Sequence, residues 1–215
     1  MKKRILAVGA TAALASSLAA PAAMASTHPA QPAGTRSLAA VLTADGNTFD
    51  SNWKDYDLVT EAVLAVLAAK PNSAVGVLAD GNTPVTAFIP NDRAFQLLAR
   101  DLTGRWPCGE KATFNTLAKA VGIDKLESVL LYHVVPGATI DSAAALRSDG
   151  AKLNTALPGT TFTVDVISQR QKLIMLRDND RNDANPFINT RAFDINKGNK
   201  QIAHGITRVL RPIDL

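Results

Sequence analysis

Leu126-Glu-Ser-Val-Leu-Leu-Tyr-His-Val-Val-Pro-Gly137 is the longest nearly uninterrupted apolar run beyond the N-terminal region, and it carries a histidine in its middle. Asp124 followed by Glu127 reads as a capping-box-like start, and Leu126, Val129, Leu130 and His133 then share one helical face. The Val134-Val135 pair favours extended backbone, and Pro136-Gly137 closes the segment as a turn. The spacing therefore predicts a helix running directly into a short buried strand, a unit that needs apolar cover on every side.

Working outward, the upstream half reads as helices around one strand. Asp57 to Ala69 is apolar around most of its circumference and stops at Lys70-Pro71, so it predicts a buried helix. Gly81 to Pro84 is a turn, Val85 to Ile89 a strand, and Asn91 or Asp92 caps a helix whose stripe is Phe95, Leu98 and Leu102. Residues 105–113 read as a loop, followed by a short helix with Phe114, Leu117, Ala118 and Val121 that Gly122 closes.

Downstream, Asp141 caps a brief Ala-rich turn ending near Leu146, and the period then changes to two. Phe162, Val164 and Val166 alternate with Thr161, Thr163 and Asp165, and residues 172–176 return as a hairpin. Asp178 to Pro186 is a polar loop, and Ala192 to Ile195 and Ile202 to Leu210 read as strands. Helices come first and strands last, which places the chain in the α+β class.

The termini and the composition bound the functional class. Lys2, Lys3 and Arg4, an Ala-rich apolar stretch from Ile5 to Ala20 and Ala23-Met24-Ala25 together read as a signal peptide, residues 1–25, cleaved near Ala25. That stretch is too short to span a bilayer comfortably, so the mature chain is expected to be secreted without a transmembrane segment. The leader and the Ala- and Arg-rich composition fit a bacterial source. Removing residues 1–25 lowers the net charge from +4 to +1. Such a chain, with two Trp and two Tyr, lacks the basic stripe of a nucleic-acid binder. Residues 26–50 read as a flexible lead-in, rich in Pro, Ala, Ser, Thr and Gln at its start, and residues 51–215 as one domain. Cys108 is the single cysteine, which leaves no intramolecular disulfide.

Three segments together resemble the fasciclin domain family. Thr86-Ala-Phe-Ile-Pro-Asn-Asp-Arg-Ala-Phe95 is similar to its first signature, Leu130-Leu-Tyr-His-Val-Val-Pro-Gly137 to its central Tyr-His segment, and Asn199 to Pro212 to its closing signature. Lys200, Gly205 and Thr207 depart from that closing pattern, where Gly, an aliphatic residue and Asp are usual. The resemblance spans about Asp55 to Pro212 and implies a β-wedge of two sheets flanked by several helices. It further implies a non-catalytic role in adhesion to a surface or matrix protein or glycan. Tyr132 of the Tyr-His segment, with Asn91 and Asp92 of the first signature, are its interaction candidates.

The side chains leave other chemistries thin. His133 on its helical face and His204 between Ile202 and Ile206 both point inward by separate periodicities, so they join Phe88, Phe95, Leu130 and Ile206 as expected core residues. The two histidines of the expected domain, His133 and His204, and the one cysteine, far apart, give too few soft ligands for zinc. Asp178 to Asp183 places oxygen side chains at alternate positions, but Asp183 and Asn189 stand where a calcium loop needs Gly and Glu, so a solvated turn is the plain reading. No metal or other cofactor is expected. No Gly-x-Ser-x-Gly, Gly-x-x-x-x-Gly-Lys or His-Glu-x-x-His motif occurs, so no enzyme is expected. The remaining alternative is a carrier of a small apolar, lipid-like ligand held in a groove between helices and wedge. Nothing in the residues fixes the partner or the oligomeric state.

Overall fold

A computed structural model describes residues 33–44 and 46–214; the expected signal peptide and residues 26–32 lie outside them. The described elements are α1 (Leu38–Leu42), α2 (Asp57–Ala69), a 3-10 turn (Ala74–Ala79), β1 (Val85–Pro90), α3 (Asp92–Thr103), α4 (Glu110–Tyr132), β2 (Val134–Pro136), α5 (Ser142–Leu146), β3 (Lys152–Asn154), β4 (Thr161–Ser168), β5 (Leu173–Arg177) and β6 (Gln201–Ile206). They form an α+β fold with two three-stranded sheets, ordered β2-β1-β6 and β3-β4-β5.

The first sheet is the buried one. Every residue of β1 and of β6 is buried, which is why neither strand shows a clean alternation. They pair in parallel, Val85 with Gln201 through Pro90 with Ile206, while β2 runs antiparallel to β1. In the second sheet β4 is antiparallel to both neighbours, with a register shift between Val166 and Ser168. The hairpin of β4 and β5 lies where the alternating pattern put it.

Two apolar clusters fill the interior. One packs α1, α2, α3 and α4 against β1 through Leu38, Leu58, Val66, Phe95, Leu98 and Leu130. The other lies between the sheets, where Phe88 meets Phe162 edge-on at 5.2 Å between ring centres and Tyr132 meets Phe162 at 6.0 Å. Such edge-to-face pairs add about 1 kcal/mol beyond the area they bury.

Gly122 interrupts the span Glu110–Tyr132 as expected: its φ of 73° and ψ of 169° are not helical, so α4 consists of two helical stretches meeting at a kink, and such a φ is open to glycine at no steric cost. Two other local expectations are corrected. Asp124 and Glu127 do not cap a helix: both pair with Lys70 beyond the end of α2, and Glu127 also accepts from the Ser73 hydroxyl at 2.5 Å. The segment 192–195 contributes only a bridge, Ile195 to Ala203.

The lead-in is also corrected over its described part. Ser37 caps α1, the Leu38 amide donates to Gln201 Oε1 at 2.8 Å, and Leu38 is fully buried. Gly34 bridges Asn199 alongside. A Cβ on Gly81 would overlap the Thr35 carbonyl oxygen, so the segment passes directly over that glycine. The compact unit therefore starts near Ala33 rather than at residue 51. A composition read as flexible conceals this docking because its partners, Gln201 and Asn199, are more than 160 residues away.

Candidate functional site

The start of α3 carries two of the three sequence-derived interaction candidates, Asn91 and Asp92. Asn91 is the N-cap of α3, its Oδ1 accepting the Ala94 amide at 3.0 Å, and it is only half-buried. It lines an open cleft of about 610 Å³ together with Trp53, Lys54, Arg93, Asn189, Thr190 and Arg191. Lys54, Arg93 and Arg191 are exposed, and none forms an ion pair among the described residues. Arg93 also lies over the half-exposed Trp106 ring at 4.6 Å, and Arg100 lies over it at 4.8 Å. The cleft thus combines three cations, an indole and two side-chain amides, with no carboxylate on its lining among the described residues.

Tyr132, expected at the surface, is fully buried between the sheets, and its hydroxyl donates to the Thr161 carbonyl at 2.9 Å. Burial pushes its phenol up. The Tyr-His pair therefore presents no surface, because α4 ends at Tyr132 against the second sheet. His133, the next residue, caps α4. Its Nδ1 donates to the Val129 carbonyl at 2.7 Å and its Nε2 accepts the Leu210 amide at 2.9 Å. His204 holds the opposite tautomer, Nε2 donating to the Ile140 carbonyl at 2.8 Å and Nδ1 accepting the Asp194 amide at 3.3 Å. Burial lowers both imidazoles, His133 to about 4. Phe88, Phe95, Leu130 and Ile206 are likewise buried.

Asp92 is fully buried too, so it cannot touch a partner as expected. Its Oδ1 accepts the Leu58 amide at 2.9 Å in the first turn of α2. Asp55 and Glu110 stand beside it, the ligand oxygens of the three lying within 4.8 Å of one another. Glu110 is 1% exposed and its Oε2 accepts the Asp50 amide at 2.6 Å. Burial raises the carboxyl of Asp92 first of all, with Asp55 and Glu110 adding to the effect, and burial likewise raises that of Glu110. The neighbouring Tyr56 phenol is pushed up to about 12 by burial, then by Asp92 and Asp55. Sequence reasoning missed this trio because its members are 37 and 18 residues apart and only the fold brings the helix starts together.

The acidic loop at 178–183 exposes Asn179, Arg181 and Asn182 as a solvated turn does, but its Asp180 is buried. Arg211, 6% exposed, inserts its guanidinium among Asp101 at 2.8 Å, Asp180 at 3.4 Å and Asp183, while its amide donates to Asp178 Oδ2 at 2.8 Å. An arginine stands where the calcium reading would put an ion. Cys108 is exposed. Gly205, a departure from the closing signature, is accounted for by Tyr56: a Cβ there would overlap the Tyr56 hydroxyl and lie 2.7 Å from the Ala192 Cβ. Thr207 takes a structural part, its hydroxyl accepting the Phe187 amide at 3.0 Å.

The sequence model of the fasciclin domain matches residues 60–212. A solved FAS1 domain pair from the insect cell adhesion molecule fasciclin I is 14% identical to this chain, with a TM-score of 0.49 over 71% of this chain and 46% of that one. This chain therefore spans under half the length of that pair. Among curated proteins, none matches.

Proposed function

The chain belongs to the fasciclin domain family, and on that premise we propose that it is an extracytoplasmic, non-catalytic adhesion module whose cleft at Trp53 engages an acidic polysaccharide of a cell surface or matrix. One observation carries the choice of partner. Lys54, Arg93 and Arg191 line a cleft with Trp53 and, among the described residues, no carboxylate. Cations steer a polyanion, an indole offers a flat apolar face to a sugar ring, and Asn91 and Asn189 supply hydroxyl-matching amides.

The export part of the proposal rests on the basic start, Ala-rich stretch and Ala23-Met24-Ala25 of the sequence. No helix of the described residues is long and apolar enough to cross a membrane. The carrier alternative draws no comparable support. The apolar cavities beside Leu58 and Phe95, and beside Val59 and His133, hold about 10 and about 20 Å³. A lipid-like ligand needs on the order of several hundred Å³.

Retention of the chain on immobilised alginate, a sulfated polysaccharide and neutral dextran tests the reading. The expected result is salt-sensitive retention on the two acidic matrices and none on dextran, with Arg93→Glu plus Arg191→Glu lowering affinity at least tenfold at unchanged melting temperature. Equal behaviour on all three matrices, or an unaffected double variant, would overturn the assignment of the cleft.

A further inference from the structure

We propose that Asp55, Asp92 and Glu110 form a binding site for a calcium ion, set where the first turns of α2, α3 and α4 converge. The case begins with oxygens that lack partners. Asp92 Oδ2, Glu110 Oε1 and Asp55 Oδ1 are each buried and accept no hydrogen bond from an N–H or O–H donor among the described residues, the Asp55 and Asp92 carboxyls meeting only each other, although Asp92 and Glu110 are 0% and 1% exposed. A buried carboxylate oxygen left without a partner costs free energy, and native interiors rarely tolerate one. All three belong to residues that can each bring one carboxylate oxygen within 4.8 Å of the others, the spacing of a cage for a cation.

The chemistry of the cage selects the occupant. All donors are carboxylate oxygens, which hard cations prefer over thiolate- and imidazole-seeking metals. Two oxygens on one ion can stand no further apart than twice the bond length, about 5 Å for calcium. The three ligand oxygens lie within 4.8 Å of one another. Among the described residues no Lys or Arg pairs with any of the three, so no side chain neutralises them as Arg211 neutralises Asp180.

The backbone shows why the cage does not simply open. The second oxygens of the pair deepest in the fold are fixed, Asp92 Oδ1 by the Leu58 amide and Glu110 Oε2 by the Asp50 amide. The Asp92 amide in turn donates to the Asp55 carbonyl at 3.1 Å. Each free oxygen is thereby held in place by a bond to its twin or its backbone. Helices begin at Asp57, Asp92 and Glu110, the last running up to the kink at Gly122, and their positive ends offset part of the carboxylate repulsion. An ion has a way in, because Asp55 is only half-buried and also lines an open cleft of about 290 Å³ with Thr48, Asp50 and Asp57.

A proton shared between Asp55 and Asp92 is the competing occupant, and a calcium titration separates the two. The chelator-treated chain is titrated with calcium chloride at pH 7.5 by calorimetry and thermal melting, against sodium chloride of equal ionic strength. Terbium luminescence sensitised by Tyr56 provides a second readout. With a dissociation constant in the 0.1 mM range of extracellular calcium modules, 10 mM calcium should raise the melting temperature by about 5 to 10 °C. Asp92→Asn and Glu110→Gln should each abolish both the shift and the terbium signal; the second variant decides if the first does not fold. No heat, no shift and no luminescence would show that protons occupy the cage. A response that survives both variants would place the ion elsewhere, and magnesium matching calcium at equal concentration would overturn the calcium assignment.

Discussion

Mild acid should weaken this fold through His133, and the structure fixes both the sign and the size. His133 is buried and neutral, donating from Nδ1 to the Val129 carbonyl and accepting at Nε2 from the Leu210 amide. A second proton would set two donors, Nε2–H and the Leu210 N–H, against each other and place a charge where solvent cannot reach. The folded value is about 4, lowered from the ordinary 6.5 chiefly by burial. A depressed imidazole stabilises fully above the unfolded value and loses that contribution as pH falls from 6.5 towards 4, because only the unfolded chain takes up the proton. Full loss amounts to about 3 kcal/mol, and roughly 2 kcal/mol is lost by pH 5. His204 shifts in the same direction. Asp178, raised to about 6, acts oppositely, gaining stability as pH falls through its folded value. The difference between wild type and His133→Gln cancels both. That variant does not titrate, and its amide oxygen can take the Leu210 N–H. Urea unfolding at pH 7.5 and pH 5.0 should show wild type ahead of the variant at neutral pH, with the gap closing by about 2 kcal/mol in acid. A gap that stays constant would refute the buried neutral imidazole.

Other perturbations probe the remaining joints. Gly205→Ala should destabilise by about 1 to 3 kcal/mol through overlap with Tyr56, and Tyr56→Phe in the same chain should restore part of it in thermal melts. Gly81→Ala should dislodge residues 33–37 and make that segment sensitive to limited proteolysis at temperatures where wild type resists. Arg211→Leu should cost about 3 to 5 kcal/mol by stranding Asp180, whose side chain is 1% exposed, and the loss should show as a lower urea midpoint. Tyr132→Phe should cost about 1 kcal/mol for the bond to Thr161 and leave polysaccharide retention unchanged.

Much of the fold was legible from residue order. The hairpin of β4 and β5 alternates because one face packs on Phe88 and Tyr132 and the other meets solvent, and that pattern needs no partner to be read. The helix α2 is legible for the opposite reason: its apolar girth allows only burial. What escaped was decided by partners distant in sequence. Leu38 docks because Gln201 waits for its amide. Asp92 sits inside because the Leu58 amide and the Asp55 carbonyl receive it, whereas a charge after a strand reads as surface. Tyr132 was read as exposed through its family segment, yet it turns into the cluster between the sheets while Leu131 joins the helical one, and the Thr161 carbonyl takes the hydroxyl of the phenol buried there. Of the three interaction candidates, Asn91 alone reaches the cleft, and the cations that define that cleft come from loops and helix starts that carry no periodicity.

The parallel pairing of β1 with β6 has a consequence for how the chain reaches its native state. The strand at the middle of the buried sheet waits for a partner 116 positions later, Val85 for Gln201, and Gln201 in turn receives Leu38 from near the domain's beginning. Neither apolar cluster closes until Ala203, Ile206, Val209 and Leu210 are in place. This long-range topology sets refolding on the order of milliseconds to seconds. Deleting residues 201–215 should therefore leave a chain that never passes the folding barrier rather than one that folds and then frays.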